Sequence, residues 1–305
     1  MRARRDEGPS GFLVVDKPAG WTSHDVVDAA RRWLGTRRVG HLGTLDPLAT
    51  GVLPLAVRDA TKLVPFVAGG RKRYETEITL GAETDTLDAD GQVTERFEGP
   101  LPQEAEVRTV LASFVGESLQ VPPMYSAVKQ GGVALHKLAR RGAEVERAPR
   151  PVTLSSIDLV RYAPPALEIA LECSAGTYVR VLATDVGRRL GCLGHVRLLR
   201  RTVSGPFTLA QARSHAELEG AAAEGRIADC LLPAVDVLGL PQLQLGAPEA
   251  RRIAHGGELR LEPILLGAAG PGDRLAAMDA AGTLLAVLEL GDDGSLRPLR
   301  VLVAS

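Results

Sequence analysis

The chain has 305 residues, 45% of them hydrophobic and 24% charged, and a net charge of −1. That balance fits a globular chain of one large domain, or a large and a small one, and excludes a disordered or collagen-like polymer. No stretch approaches the roughly 18 uncharged apolar residues of a membrane span, and the three cysteines, Cys173, Cys192 and Cys230, are too few and too scattered for a disulfide framework or a thiolate zinc site.

The opening MRARRDEGPS is charged without an apolar run, so no secretory leader is expected and residues 1–10 are expected to be flexible. GFLVVD (11–16) reads as a strand and KPAG (17–20) as a turn. Thr22 or Ser23 can cap a helix carrying Val26, Val27, Ala30 and Leu34 at helical spacing. Residues 35–54 are glycine-rich and aperiodic, which predicts a structured loop with short strands. RYETEITLG (73–81) alternates like a strand, and ETDTLDADG (83–91) is an acidic turn region. Val107, Val110, Leu111 and Phe114 share one face of a helix predicted over 104–115. Pro122 and Pro123 break the chain before a helix near 134–141. Strands follow at 151–162 and 167–173, then a helix over 177–190 that offers Val181, Val186 and Leu190 to a core. The texture changes near 230–245, and the tail predicts short strands with a hairpin turn at Ala280–Gly282. The organisation is mixed α+β, with strands too irregularly spaced for a doubly wound sheet.

Net charge alone argues against a nucleic-acid partner, but its distribution argues for one. Residues 180–213 carry seven arginines against Asp185, and residues 129–150 carry six basic side chains against Glu144 and Glu146. Basic stretches of this kind suit phosphate contact. The most unusual segment is VGHLGTLDPLATGVLP (39–54), in which glycines and prolines surround the single carboxylate of Asp46. A structural Asx-turn and a catalytic carboxylate both fit that pattern. Aromatics are only 4% of residues, so Tyr74 in KRYE and Tyr178 in GTYVR stand out as rings able to stack on a base beside phosphate-holding neighbours. There is no HExxH and no Walker A loop. His24 and His41 lack a third ligand, so neither a metal nor a cofactor is expected.

GFLVVDKPAGWTSHDVV (11–27), RRVGHLGTLDPLATGVLPLAV (37–57), KRYETEITLGAETDTLDADG (72–91), PPMYSAVKQGGVALHKLAR (122–140), CSAGTYVRVLATDVG (173–187) and HVRLLRRTVSGPF (195–207) resemble, in order, the bacterial TruB family of tRNA pseudouridine-55 synthases. The resemblance implies a pseudouridine synthase fold over 11–235, with a mixed, mainly antiparallel central sheet flanked by helices and loops. It implies an RNA-clamping insertion at about 125–150 that is mobile without tRNA, and a small β-rich, PUA-type RNA-binding domain over 240–305. It assigns catalysis to Asp46, with Tyr74 stacking on the base and Arg180 pairing with the aspartate. Lys17, His41, Tyr178 and Leu199 become substrate-binding positions. His136 stands where many relatives carry tyrosine. The partner implied is tRNA, through its T arm and the end of its acceptor stem, with no membrane and no cofactor, for a cytoplasmic monomer. The alternatives are a sibling synthase for another RNA, a non-catalytic tRNA-binding or folding protein, and a hydrolase with Asp46 as nucleophile.

Overall fold

A computed structural model of the chain describes residues 8–126, 128–139, 145–260 and 269–302. β1 (Gly11–Lys17) leads into α1 (Ser23–Leu34), then β2 (Val39–His41) and β3 (Thr50–Val57). The short α2 (Val64–Val67) precedes β4 (Lys72–Leu80), and β5 (Ala82–Thr84) pairs with β6 (Val93–Arg96). After α3 (Glu104–Ala112) and β7 (Gly116–Gln120) come the two-residue strands β8 (Lys129–Gln130) and β9 (Val133–Ala134) and the single turn of α4 (Leu135–Ala139). β10 (Arg150–Ala163), β11 (Ala166–Cys173), α5 (Val179–Arg189), β12 (Gly194–Ser204), β13 (Phe207–Thr208), α6 (His215–Ala223) and α7 (Ala234–Leu238) complete this part. The main sheet has nine strands in the order β1-β3-β12-β4-β11-β10-β7, with β2 on β3 and β13 on β12. Every pairing is antiparallel except β3 with β12, which run parallel at Thr50 and Gly51.

Alternation along the strands sorts side chains onto two faces. In β1, Leu13 and Val15 enter a core shared with Val26 and Val27 of α1 and with Leu182 and Val186 of α5. Phe12 and Val14 point the other way, into a second core with Val52, Ala56 and Phe207. Burial on both faces explains why these strands are apolar runs rather than alternating ones. α1 begins where Thr22 caps it, in a box with Asp25, and stops at Gly35 in the left-handed region (φ 59°). In α5 the buried side is Val179, Leu182, Ala183 and Val186. Val181 and Leu190, expected in the core, lie only partly buried, because the sheet meets the helix one position away from the stripe read in the sequence.

The tail forms a separate five-stranded sheet, β14 (Gln242–Gln244), β16 (Arg274–Met278), β17 (Leu284–Leu290), β18 (Ser295–Val301) and β15 (Leu259–Arg260), in that spatial order. The hairpin turn lies at 279–283 as read. After Gly246 the chain forms α8 (Ala247–Ala254), an element not assigned from the sequence, with Ile253 buried against the sheet. Val287 and Leu302 join the second core of the main sheet, and Lys62 Nζ donates to the Leu302 carbonyl at 2.7 Å. No described helix is long and apolar enough to cross a membrane.

Helix α5 lies against the start of β12 because Gly187 meets Gly194. A Cβ on Gly187 would stand 2.3 Å from the Gly194 nitrogen, a backbone atom that cannot step aside. Gly187→Ala is therefore expected to cost about 1–3 kcal/mol of stability, as overpacking does; urea unfolding measures it, and an unchanged midpoint would contradict the packing described.

Candidate active site

Asp46 sits in the turn between β2 and β3, and three features hold that turn. Ser23 Oγ donates to the Leu45 carbonyl and accepts from the Leu45 nitrogen at 2.8 Å. The Gly20 nitrogen donates to the Pro47 carbonyl at 2.9 Å. Lys17, completely buried at the end of β1, donates from Nζ to the carbonyls of Pro18, Trp21 and Pro47 at 2.9, 2.6 and 3.1 Å. The KPAG turn and the capped start of α1 thus form the bed on which the aspartate rests.

Arg180, in the first turn of α5, grips Asp46 from the other side. Its Nε donates to Oδ2 at 2.8 Å and its Nη2 to Oδ1 at 2.9 Å, a bidentate pair that fixes the carboxylate plane. The same guanidinium donates to the carbonyls of Thr86 (2.7 Å) and Tyr125 (2.8 Å). The arginine side chain is 4% exposed and the aspartate 32%, so the pair presents the carboxylate and hides the cation. A second carboxylate, Asp88, stands 3.5 Å from Arg180 Nε. Asp88 is buried, accepts from Thr86 Oγ1 at 2.6 Å, and is pushed up in pKa by burial against the opposing pull of Thr86 and Arg180. It is carried by the loop read as an acidic turn, which the Val196 backbone of β12 pins through hydrogen bonds to Leu87 and Ala89. The sequence reading missed Asp88, since nothing in a run of four acids singles out the one that folds inward.

Beside Asp46 opens a pocket of about 290 Å³. Gly43 to Asp46 form one wall; Ala68, Lys72 and Tyr74 another; Ala175 to Val179 a third, with Leu199, Arg201 and Ser126 closing it. Four positions read from the sequence, Asp46, Tyr74, Tyr178 and Leu199, therefore line one cavity, and Arg180 lies behind it. Tyr74 is 7% exposed, and burial raises its phenol pKa against the charge and hydrogen bond of Arg201. Arg201 is itself buried and donates to the carbonyls of Val52, Gly43 and Thr44. Gly51 makes this possible, because its φ of +97° and missing Cβ let β3 pass against the Arg201 backbone. Tyr178 is clamped through its backbone: Gln120 Nε2 donates to its carbonyl at 3.1 Å, and its nitrogen donates to Gln120 Oε1 at 2.7 Å. Lys17 and His41 do not line the pocket. Lys17 lies beneath it. His41 ends β2, its Nδ1 buried with no hydrogen-bond partner among the described residues, and burial, with the charges of His24 and Arg201, lowers its pKa. No group of side chains that could hold a metal ion occurs among the described residues.

Residues 31–179 match the model for the N-terminal domain of the TruB family pseudouridylate synthases, which defines the class of enzyme. Residues 180–238 match the model for the C-terminal domain of tRNA pseudouridylate synthase B. A curated tRNA pseudouridine synthase B from Dehalococcoides mccartyi is 41% identical, the match covering 97% of each chain. One from Geobacter sulfurreducens is 44% identical over 95% of this chain and 99% of its own. A chain in the crystal structure of a Cbf5-Nop10-Gar1 complex superposes with a TM-score of 0.71 at 25% identity, covering 96% of this chain and 85% of that one. The chain belongs to the TruB family of pseudouridine synthases.

Burial lowers the Lys17 pKa to about 8 from 10.5, against the attraction of Asp46 and Asp25. Between those values the unfolded chain binds the proton and the folded chain has released it, so stability from this group rises with pH across the window and is lost as pH falls through 8. The unfolding free energy of wild type relative to Lys17→Met is expected to grow by about 3 kcal/mol from pH 8 to 10.5. A difference that stays flat in urea titrations across this range would refute the assignment.

Proposed function

We propose that the chain converts uridine-55 in the T loop of tRNA to pseudouridine, with Asp46 as the catalytic carboxylate. The observation that carries this reading is the bidentate Arg180–Asp46 pair at the edge of a pocket that carries a tyrosine on each of two walls and is apolar at Leu199. The reaction detaches uracil from C1′, turns it and rejoins it through C5, so it needs a carboxylate fixed beside the sugar and a flat, dry slot for the base. The guanidinium favours the ionised carboxylate and fixes its orientation. From there Asp46 attacks C1′ or the ring, or takes a ribose proton. Tyr74 and Tyr178 offer rings against the uracil, and Leu199 supplies an apolar wall.

The target base must leave its stack to reach this pocket, at a cost of a few kcal/mol offset by contacts in the pocket and along the phosphates. The T arm is recognised largely by shape. Lys17 supports the Asp46 turn, and His41 contacts RNA outside the pocket. The insertion about 125–150 clamps the RNA. Part of that segment, residues 127 and 140–144, lies outside the described residues, as do residues 1–7 of the N-terminal segment read as flexible. The five-stranded tail sheet acts as a PUA-type RNA-binding domain over 240–305 and touches the acceptor end. The protein works as a monomer, and its substrate places it in the cytoplasm.

A tRNA transcript tritiated at uridine C5 tests the reading. Wild type is expected to release tritium from position 55 alone, Asp46→Ala to release none while still binding tRNA, and Arg180→Lys to lose on the order of 100-fold in rate through lost orientation. A folded wild-type protein that binds tRNA and releases nothing would make it a binding or folding protein instead.

A further inference from the structure

The pocket holds one more charged side chain, to which the reaction as described gives no part. Lys72 opens β4 and lines the wall with Ala68 and Tyr74, yet is only 6% exposed. Its Nζ donates to the Ala68 carbonyl at 3.3 Å and to Ser204 Oγ at 3.1 Å. An ammonium carries three donors, so these leave one. No ion pair to Lys72 occurs among the described residues. The ionisable groups that act on it are Arg201, whose charge opposes its own, and Cys173, its partner on β11, whose thiol is pushed up by burial to about 11 and so stays neutral. Tyr74, two residues along the same strand, is the other titratable group on its side of the pocket. A buried cation with no carboxylate is costly to keep, and such groups concentrate where charge develops in a reaction.

The charges in the pocket are also sorted. At the Asp46 end, two carboxylates, Asp46 and Asp88, face one guanidinium, that of Arg180. At the far wall stand Lys72 and Arg201. Arg201 is tied to the protein by bonds from Nε, Nη1 and Nη2 to backbone carbonyls and by a hydrogen bond to Tyr74, whereas the Lys72 ammonium keeps one donor beyond its bonds to Ala68 and Ser204. Lys72 opens β4 and Asp46 lies in the turn between β2 and β3, on different walls of the pocket. A ligand spanning the pocket therefore meets an anion at its sugar end and a cation at the other.

We propose that Lys72 is a further catalytic residue, whose ammonium faces the uracil ring and stabilises the negative charge the ring carries between its two glycosidic bonds. The proposal rests on the uridine-isomerase reading above. When the N1–C1′ bond breaks, its electron pair stays on the ring and spreads over N1 and the two carbonyl oxygens. The turned ring then gives an electron pair from C5 to C1′, the C5 proton passes to solvent and N1 takes one up, which restores the ring's conjugation with no net change in protons. Nothing is oxidised or reduced, and Lys72 stays protonated throughout. Burial lowers its pKa to about 8, which leaves it charged at neutral pH and makes it a stronger donor to an oxyanion than an exposed lysine.

The test compares wild type, Lys72→Met, Lys72→Gln and Lys72→Arg under single turnover, on tRNA transcripts with uridine or 5-fluorouridine at the target, and follows loss of the N1-linked nucleoside, a step both substrates share, because 5-fluorouridine has no C5 proton to give up afterwards. Fluorine at C5 stabilises the ring anion by itself and so lowers the need for the cation. Lys72→Met is expected to slow uridine conversion on the order of 100-fold, the size of loss seen when one oxyanion donor is removed. Its thermal midpoint and tRNA affinity should stay at wild-type values, and the loss on 5-fluorouridine should shrink at least tenfold. Lys72→Arg should recover most of the uridine rate. If Lys72→Met does not fold, Lys72→Gln, which keeps a donor for Ser204, carries the same comparison. Rates within about threefold of wild type, or equal losses on both substrates, would overturn the proposal. A wild type that converts neither substrate would instead strike the isomerase reading, and the same assay reports it.

Discussion

One guanidinium organises the active end of this protein. Arg180 is 4% exposed and binds the Asp46 carboxylate, the Thr86 and Tyr125 carbonyls and, at longer range, Asp88. Those groups come from three separate stretches of chain, and each is satisfied only while the others stay in place. A buried arginine stripped of its carboxylate would be left as an uncompensated charge. The reverse also holds: the turn carrying Asp46 is fixed from beneath by Lys17 and Ser23 and from the side by Arg180, so the carboxylate is oriented before any substrate arrives. Such preorganisation removes the reordering that would otherwise be part of the barrier.

The sheet explains how so many distant segments meet. β12 is the strand that closes the arrangement, running parallel to β3 on one side and antiparallel to β4 on the other. Leu199 and Arg201 of β12 and Lys72 and Tyr74 of β4 thereby enter the same pocket as the Asp46 turn. The two family models divide the chain at residue 180, in the first turn of α5, but the core does not divide there. Val179, Leu182 and Val186 pack in one cluster with Leu13, Ile78 and Leu171. The architectural change comes later, where the second sheet begins at Gln242.

Much of this could be read from the residues. Local signals with a single interpretation survived folding: the Thr22 cap, the alternation of β4 and the hairpin near Gly282 all stand where their chemistry put them. So did the cluster Asp46, Tyr74, Arg180, Tyr178 and Leu199, which the structure gathers about one cavity from positions up to 153 residues apart in the sequence; motif resemblance found them, since spacing alone left Asp46 open to a structural reading. What stayed hidden depended on long-range register. Asp88 differs from its acidic neighbours only because the Val196 backbone turns its loop inward. Gln120 is an ordinary strand residue until β7 reaches the backbone of Tyr178. Helix α8 went unassigned because its apolar face rests on few residues, with Ile253 its one fully buried side chain.

The pairing of Gln120 with Arg150 has a different consequence. The excursion between them leaves and rejoins the sheet at a single register position, so its length is not constrained by the strands that hold the pocket. Only its first residues reach the pocket, where the Tyr125 carbonyl meets Arg180 and Ser126 touches the cavity. Beyond Ser126 the chain can lengthen, shorten or change composition and still return to the same place. The excursion and the pocket are thus able to evolve, or be redesigned, on separate schedules within one continuous polypeptide.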